Sequence, residues 1–186
     1  MKQLFSSVFC LMIGLSVSTG LQAREVKGVN FPEEIKVGDT TLKLNGVGIR
    51  TAKMIIQVYV GGLYVATPST DPEVLVAATT PKVIDMHFLM SVDKGNLKEG
   101  WETGFKNNAG AYKFKEDLDK FMSFIPNMKK GNRVYLTIHQ DKVDVQVNNG
   151  EVNTVQGADF AKTMLKIYIM KLDDTKLKNG LLGIKK

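Results

Sequence analysis

Arg50 closes the main part of the stretch LNGVGIRTAK, Leu44 to Lys53, in which two glycines one residue apart are followed by a permanent positive charge. The residues on either side read as β-strand. A guanidinium beside apolar surface is a natural receptor for a carboxylate or phenolate, which it holds through two parallel N–H donors. A glycine inside a strand marks close approach by a ligand or by another backbone. If the strand is unbroken, alternation places Leu42, Leu44, Gly46, Gly48 and Arg50 on one face. That face is an apolar track with two missing side chains and a cation. The same residues also fit a bulge or corner in which Arg50 pairs with a carboxylate of the protein or reaches solvent. The residues alone do not choose between the two.

The remaining inventory excludes several chemistries. The two histidines, His87 and His139, each stand alone in a strand with no HExxH spacing, so they read as solvent-facing or satisfied side chains and not as metal ligands. Ser69, Ser91 and Ser123 lie outside any GxSxG turn, which argues against a serine hydrolase. GVG is followed by Thr51 where a GxGxxG loop needs glycine, and by strand where it needs a helix N-terminus, so it is not a phosphate loop. Asp39, Asp85, Asp141 and Asp144 fall in turns or on strand faces and read as solvated carboxylates. Neither a metal nor a cofactor is expected.

The chain has 186 residues, with 25 Lys and Arg against 19 Asp and Glu, a net charge of +6. Its lysines are scattered, without a basic stripe interleaved with aromatics, so nucleic acid is not an expected partner. The first residues read as a signal peptide over 1–23. Lys2 supplies the positive start, Leu4 to Val17 carries no charge, and Ala23 is the small residue before the cut. A membrane anchor is the rival reading, but the apolar run is shorter than the ~20 residues that span a bilayer. Loss of 1–23 removes Lys2 and the single cysteine, Cys10, leaving 24 basic and 19 acidic residues, a net +5. Residues 24–186 then form one exported, periplasmic domain without disulfides or an integral membrane segment. Its stability must come from packing.

The elements that position Arg50 follow from periodicity. EVKGVNF, EIKV and TLKLNGVGIR read as strands. So does AKMIIQVYVGGLYVAT, Ala52 to Thr67, where Tyr59 and Leu63 point one way and Val60 and Tyr64 the other. A short helix starts at Asp71 and Pro72 and stops before Pro81. KVIDMHFLMSV is a strand with Ile84, Met86, Phe88 and Met90 on its apolar face. Two helices follow, NLKEGWETGFKNN with Asn96 and Glu99 at capping-box spacing, and KEDLDKFMSFIP. A meander of three strands leads to a helix with Phe160, Met164, Ile167 and Tyr168 on one stripe, and DDTKLKNGLLG adds a last turn or two. Hairpin spacing without βαβ alternation predicts an α+β fold, a large antiparallel sheet with helices layered on one face.

LNGVGIRTAKMIIQVYVGGLYV resembles the signature of the chalcone isomerase-like superfamily, a Gly-x-Gly-x-Arg strand leading into a strand that ends in Gly-x-Tyr. VKGVNFP resembles its Val-x-Gly-x-x-Phe-Pro element, and MLKIYIMKLDDTKLKNGLLG its closing helices. The likeness runs from about Val26 to Gly183 and is best to the exported bacterial branch. It implies an open-faced α+β sandwich with an elongated apolar cleft between sheet and helices, and it implies three kinds of member. Some isomerise chalcones, some hold a fatty acid with its carboxylate on the arginine, and some have no known catalysis. The motif arginine is Arg50. The enzymes' threonine falls at Tyr59, their helix tyrosine and asparagine near Asn96–Leu97 and Thr103–Gly104, and their late Thr or Ser near Ile167. The polar groups that orient a chalcone are therefore not matched. The resemblance implies binding of a small amphipathic acid or phenolic ligand, with Arg50 at the head group and Tyr59, Tyr64, Trp101 and Phe105 lining the cleft. An isomerase or intramolecular lyase acting on a chalcone-like phenol or enone is the alternative. An interaction module with Arg50 in an internal ion pair is the third.

Overall fold

The computed structural model describes residues 23–53, 55–109 and 113–184. The leader expected at 1–23 lies outside them apart from Ala23. β1 (Ala23–Val26) and β2 (Val29–Pro32) form a separate hairpin. Lys27 and Gly28 turn it, both with positive φ (56° and 74°), the conformation a two-residue hairpin turn requires. The main sheet has seven antiparallel strands in chain order: β3 (Glu34–Val37), β4 (Thr40–Ala52), β5 (Ile56–Val65), β6 (Lys82–Phe88), β7 (Arg133–Ile138), β8 (Lys142–Val147) and β9 (Val152–Gln156). The helices are α1 (Pro72–Ala77), α2 (Lys94–Ala109), α3 (Lys115–Ser123), α4 (Ala158–Ile169) and α5 (Thr175–Leu181). The fold is α+β, as the hairpin spacing predicts.

Local signals set most element ends. Asp71 caps α1 by accepting from the Glu73 N–H at 2.9 Å, with Pro72 in the first turn. The capping-box expectation for Asn96 is corrected. α2 begins two residues earlier, at Lys94, and the Asn96 side chain instead donates to Asp93 at 3.3 Å. The expectation of an unbroken strand is also corrected. β4 has an extra residue, Asn45, between the pairs Leu44–Tyr64 and Gly46–Leu63. β5 has its own, Val58, between Tyr59 and Gln57. Each is a bulge, and a bulge changes which side of the sheet the following residues meet. Leu42 and Leu44 therefore join Val47 and Ile49 on the outer face, while Gly46, Gly48 and Arg50 face inward.

The inner face and the helices share the larger core, built from Leu63, Ile84, Met86, Phe88, Leu136, Val145, Phe105, Phe121, Phe160 and Met164 among others. The outer face carries a smaller core of Phe31, Leu42, Leu44, Val60, Tyr64 and Val83, with Val26 and Val29 of the β1–β2 hairpin packed against it. Gly62 admits the hairpin, because a Cβ there would stand 2.7 Å from the Phe31 ring.

The outer core contains a polar group that alternation alone misjudges. Asp85 is not solvated. It is 1% exposed and bidentate with Arg133, whose Nε donates to Oδ1 at 2.7 Å and whose Nη2 donates to Oδ2. The Arg133 guanidinium also lies over the Tyr135 ring, 4.7 Å from its centroid. His139 meets the expectation of a satisfied histidine, with Nε2 3.0 Å from Asp144. His87 does not. Its Nε2 is buried with no hydrogen-bond partner among the described residues, and its ring meets Phe31 edge-on.

That environment gives a pH dependence with a definite sign. Burial, and then the Arg133 guanidinium, hold His87 below the ordinary imidazole range, against an opposing pull from Asp85. The unfolded chain therefore binds a proton at a pH where folded His87 remains neutral. Stability from this site is complete above the unfolded value of about 6.5 and is lost as pH falls from there toward the lower folded value. The urea midpoint is expected to drop between about pH 7.5 and pH 5, and His87→Leu is expected to flatten the drop. An equal drop in the variant would assign the dependence to another group.

Candidate functional site

The glycine pair that draws attention in the sequence admits a helix. A Cβ at Gly46 would lie 2.1 Å from the Gly180 carbonyl oxygen, and one at Gly48 would lie 2.4 Å from the Leu177 carbonyl oxygen. The helix reciprocates, since a Cβ on Gly180 would lie 2.4 Å from the Gly48 Cα. Backbone meets backbone, and only glycine leaves the room. The bulged Asn45 fixes the far end of this contact. Its side chain donates to the Leu181 carbonyl at 2.8 Å and accepts from the Ser69 N–H at 2.7 Å.

Seating α5 on the glycines brings its N-terminus to the end of β4. Asp174 caps the helix, with Oδ1 accepting from the Lys176 and Leu177 N–H groups, both at 3.1 Å. Its Oδ2 accepts from the Thr51 N–H at 2.5 Å. The same oxygen stands 3.5 Å from Nη1 of Arg50. Arg50 therefore both borders a cleft and faces a protein carboxylate. The two partners are unequal in exposure. The Asp174 side chain is 6% exposed and that of Arg50 33%. The contact is a charge contact at the long end of the range, unlike the fork-to-fork pair of Arg133 and Asp85.

The cleft has a volume of about 200 Å³ and lies between the sheet, α2 and α4. Arg50 and Ala52 of β4, Val58 and Tyr59 of β5, and Met86 and Phe88 of β6 form its sheet side. Asn96, Leu97, Gly100, Trp101 and Gly104 of α2 cover it, with Ile167 and Tyr168 of α4. The two helices come close at Gly104, where a Cβ would meet Ile167 at 3.1 Å. On the scale that gives one water ~10–15 Å³, the cleft has room for roughly 13 to 20 water-sized groups.

Its polar groups are few and placed among apolar walls. Trp101 Nε1 donates to the Tyr168 hydroxyl at 3.0 Å, and that hydroxyl donates to the Met86 sulfur at 3.5 Å. A thioether is a weak acceptor, so an oxygen arriving in the cleft would be a better partner for this proton. Burial pushes the Tyr59 phenol well above its ordinary range, although the Arg50 charge pulls it down and Asp174 adds to the rise. Burial does the same to Tyr168, with Tyr59 adding to the rise. Both phenols keep their protons at neutral pH, and that of Tyr168 is donated to the Met86 sulfur. Among the described residues no group of three His, Cys, Asp or Glu side chains could hold a metal ion.

Of the residues expected to line the site, the structure brings Arg50, Tyr59 and Trp101 together. Two placements are corrected. Tyr64 lies on the outer face, fully buried, and its hydroxyl has no hydrogen-bond partner among the described residues. Phe105 sits behind the cleft wall, stacked on Phe160 at 4.9 Å between ring centroids and packed against Phe114. Tyr168, Met86, Val92 and Leu172 border the cleft without having been singled out from the sequence.

Comparison with known proteins agrees with this fold. A search of curated protein sequences finds no match. Among solved structures, the chain is similar to the crystal structure of a fatty-acid binding protein of Arabidopsis thaliana. The TM-score is 0.69 at 18% sequence identity, covering 87% of this chain and 96% of the other. At that identity the likeness establishes a common fold. The family described as chalcone isomerase-like matches residues 23–183, which include every strand and helix that builds the cleft. The chain belongs to the chalcone isomerase-like family.

Proposed function

We propose that the cleft is a non-catalytic binding site for a small amphipathic acid such as a fatty acid, with Arg50 receiving the head group. The observation that carries this reading is that the Arg50 fork has no bidentate partner among the described residues. Asp174 already accepts three backbone N–H groups and touches Arg50 only at 3.5 Å. A guanidinium has five N–H donors, and a carboxylate can take two in parallel. Arg133, by contrast, has spent its fork on Asp85. Tyr168, with its proton on a thioether, offers a second donor to the same ligand. The fatty-acid binding protein of like fold supports the ligand class. Two protonated phenols and a guanidinium offer donors, and the neighbouring Asp174 carboxylate is already taken by three backbone N–H groups, which favours holding a ligand over converting it. The apolar leader at 1–23 supports an exported, periplasmic setting.

Titration calorimetry with a series of saturated fatty acids tests the reading. Arg50→Ala is expected to weaken binding by about 1.5–3 kcal/mol, the scale of a charged hydrogen bond. The urea midpoint should change little, because Asp174 keeps its three backbone donors. Unchanged affinity for a bound acid would remove Arg50 from the role. Loss of chalcone absorbance above the spontaneous rate would overturn the non-catalytic part.

A further inference from the structure

The turn between β4 and β5 is built from unusual residues. Its described residues, Lys53, Ile55 and Ile56, include no Gly, Asn, Asp or Pro, the types that ordinarily make such turns. Lys53 takes a positive φ of 49°, a conformation that lysine adopts with strain, and the Ile55 N–H closes the turn on the Ala52 carbonyl at 3.3 Å. Ile55 is 83% exposed and Ile56 39%. Met90, 38% exposed, follows directly on Leu89, whose N–H bonds the Val58 carbonyl beside the same hairpin. Polar residues at these positions would serve folding better, so the apolar tip calls for another explanation.

Its position supplies one. Ala52 and Val58, which flank the tip in sequence, both line the cleft, and so do Val92 and Leu172 nearby. The ends of the segments that border the cleft carry Lys53, Lys94, Lys171 and Lys176 against Asp93 and Asp173, with Asp174 already facing Arg50, and the body of α2 adds Lys98 against Glu99 and Glu102. An apolar tip with a basic surround matches the two requirements of an anionic lipid surface, an acyl boundary for the isoleucines and a negative headgroup layer for the lysines.

We infer that the β4–β5 tip seats the mouth of the cleft on an anionic phospholipid bilayer. The inference extends the reading of the cleft as an amphiphile site, because it places the cleft where such a ligand resides, but the contact itself does not depend on that reading. Two isoleucines and a few lysines give a weak, reversible attachment, well short of an anchor.

The test is co-sedimentation of protein purified from the exported fraction with vesicles of phosphatidylglycerol and phosphatidylethanolamine, and in parallel with vesicles of phosphatidylcholine alone. The protein is expected to partition onto the anionic vesicles and to release from them as salt is raised. Ile55→Ser combined with Ile56→Ser should lower the partition coefficient about tenfold or more, and Lys53→Glu about fivefold or more. Neither side chain at 55 or 56 lines the cleft, so fatty-acid affinity in vesicle-free solution should match the wild type. Variants that sediment like the wild type would overturn the inference. So would a concentration-dependent dimer in solution that the isoleucine changes abolish, since that would assign the tip to a second copy of the chain. Tip-dependent vesicle binding by a protein with no fatty-acid affinity would uphold the membrane contact and discard the reading of the cleft.

Discussion

Gly46→Ala is expected to unseat α5 and destabilise the protein by more than about 3 kcal/mol, beyond the usual range for overpacking. The new methyl carbon would stand 2.1 Å from one backbone atom, 2.7 Å from a second and 2.8 Å from a third, all between Gly180 and Gly183. Backbone cannot rotate away as a side chain can. Gly48→Ala meets Leu177 backbone at 2.4 Å and should behave alike. Because α5 carries Asp174 to the end of β4, unseating it also releases Thr51 and disorganises the cleft around Arg50. Gly100→Ala in α2 is the control. A Cβ there meets nothing within 4 Å, and removing a mid-helix glycine should stabilise by roughly 0.5–1 kcal/mol. Urea titration of the three variants reads both signs. A Gly46→Ala midpoint equal to the wild type would show that the helix tolerates a wider seat.

Arg133→Met is expected to cost about 3 kcal/mol or more, because it leaves the Asp85 carboxylate buried and unpaired. The Asp85 side chain is 1% exposed and that of Arg133 26%, so the penalty falls mainly on the aspartate. The lost contact with the Tyr135 ring adds to it. Replacing both partners, Arg133→Met with Asp85→Leu, should recover most of the loss, since a buried ion pair exchanged for apolar packing is often neutral. Thermal melts of the two single variants and the double variant complete the cycle. Additive losses in the double variant would mean that the two side chains stabilise the fold independently.

The sheet, its antiparallel order and the helices on one face are legible in the sequence because alternation and helical stripes are local. The cleft is legible only in part. Arg50, Tyr59 and Trp101 border one cavity between the sheet and the helices. Tyr64 is five positions from Tyr59 in one strand, and alternation already sends the two to opposite faces, so grouping them in one cleft set the resemblance against the simpler rule. The bulge at Asn45 leaves no signature, since an extra asparagine in a strand looks like any polar position. The neighbour that explains Gly46 and Gly48 is a helix about 130 residues further along the chain. No local pattern links a strand glycine to Gly180. Tyr168 reads as one more member of a core stripe, and its role at the cleft depends on Trp101, on another helix.

Asp174 also determines how the cleft acts at a distance. With the aspartate beside it, Arg50 presents a dipole to the solvent instead of a bare charge. The field of a dipole fades with distance faster than that of a single charge, and salt has little left to screen. Any long-range pull on an acid comes from the lysines about the mouth and not from Arg50, whose own attraction begins only within reach of its fork. Steering from bulk water is therefore left to those lysines and weakens with salt, while Arg50 acts on a ligand already delivered to the mouth.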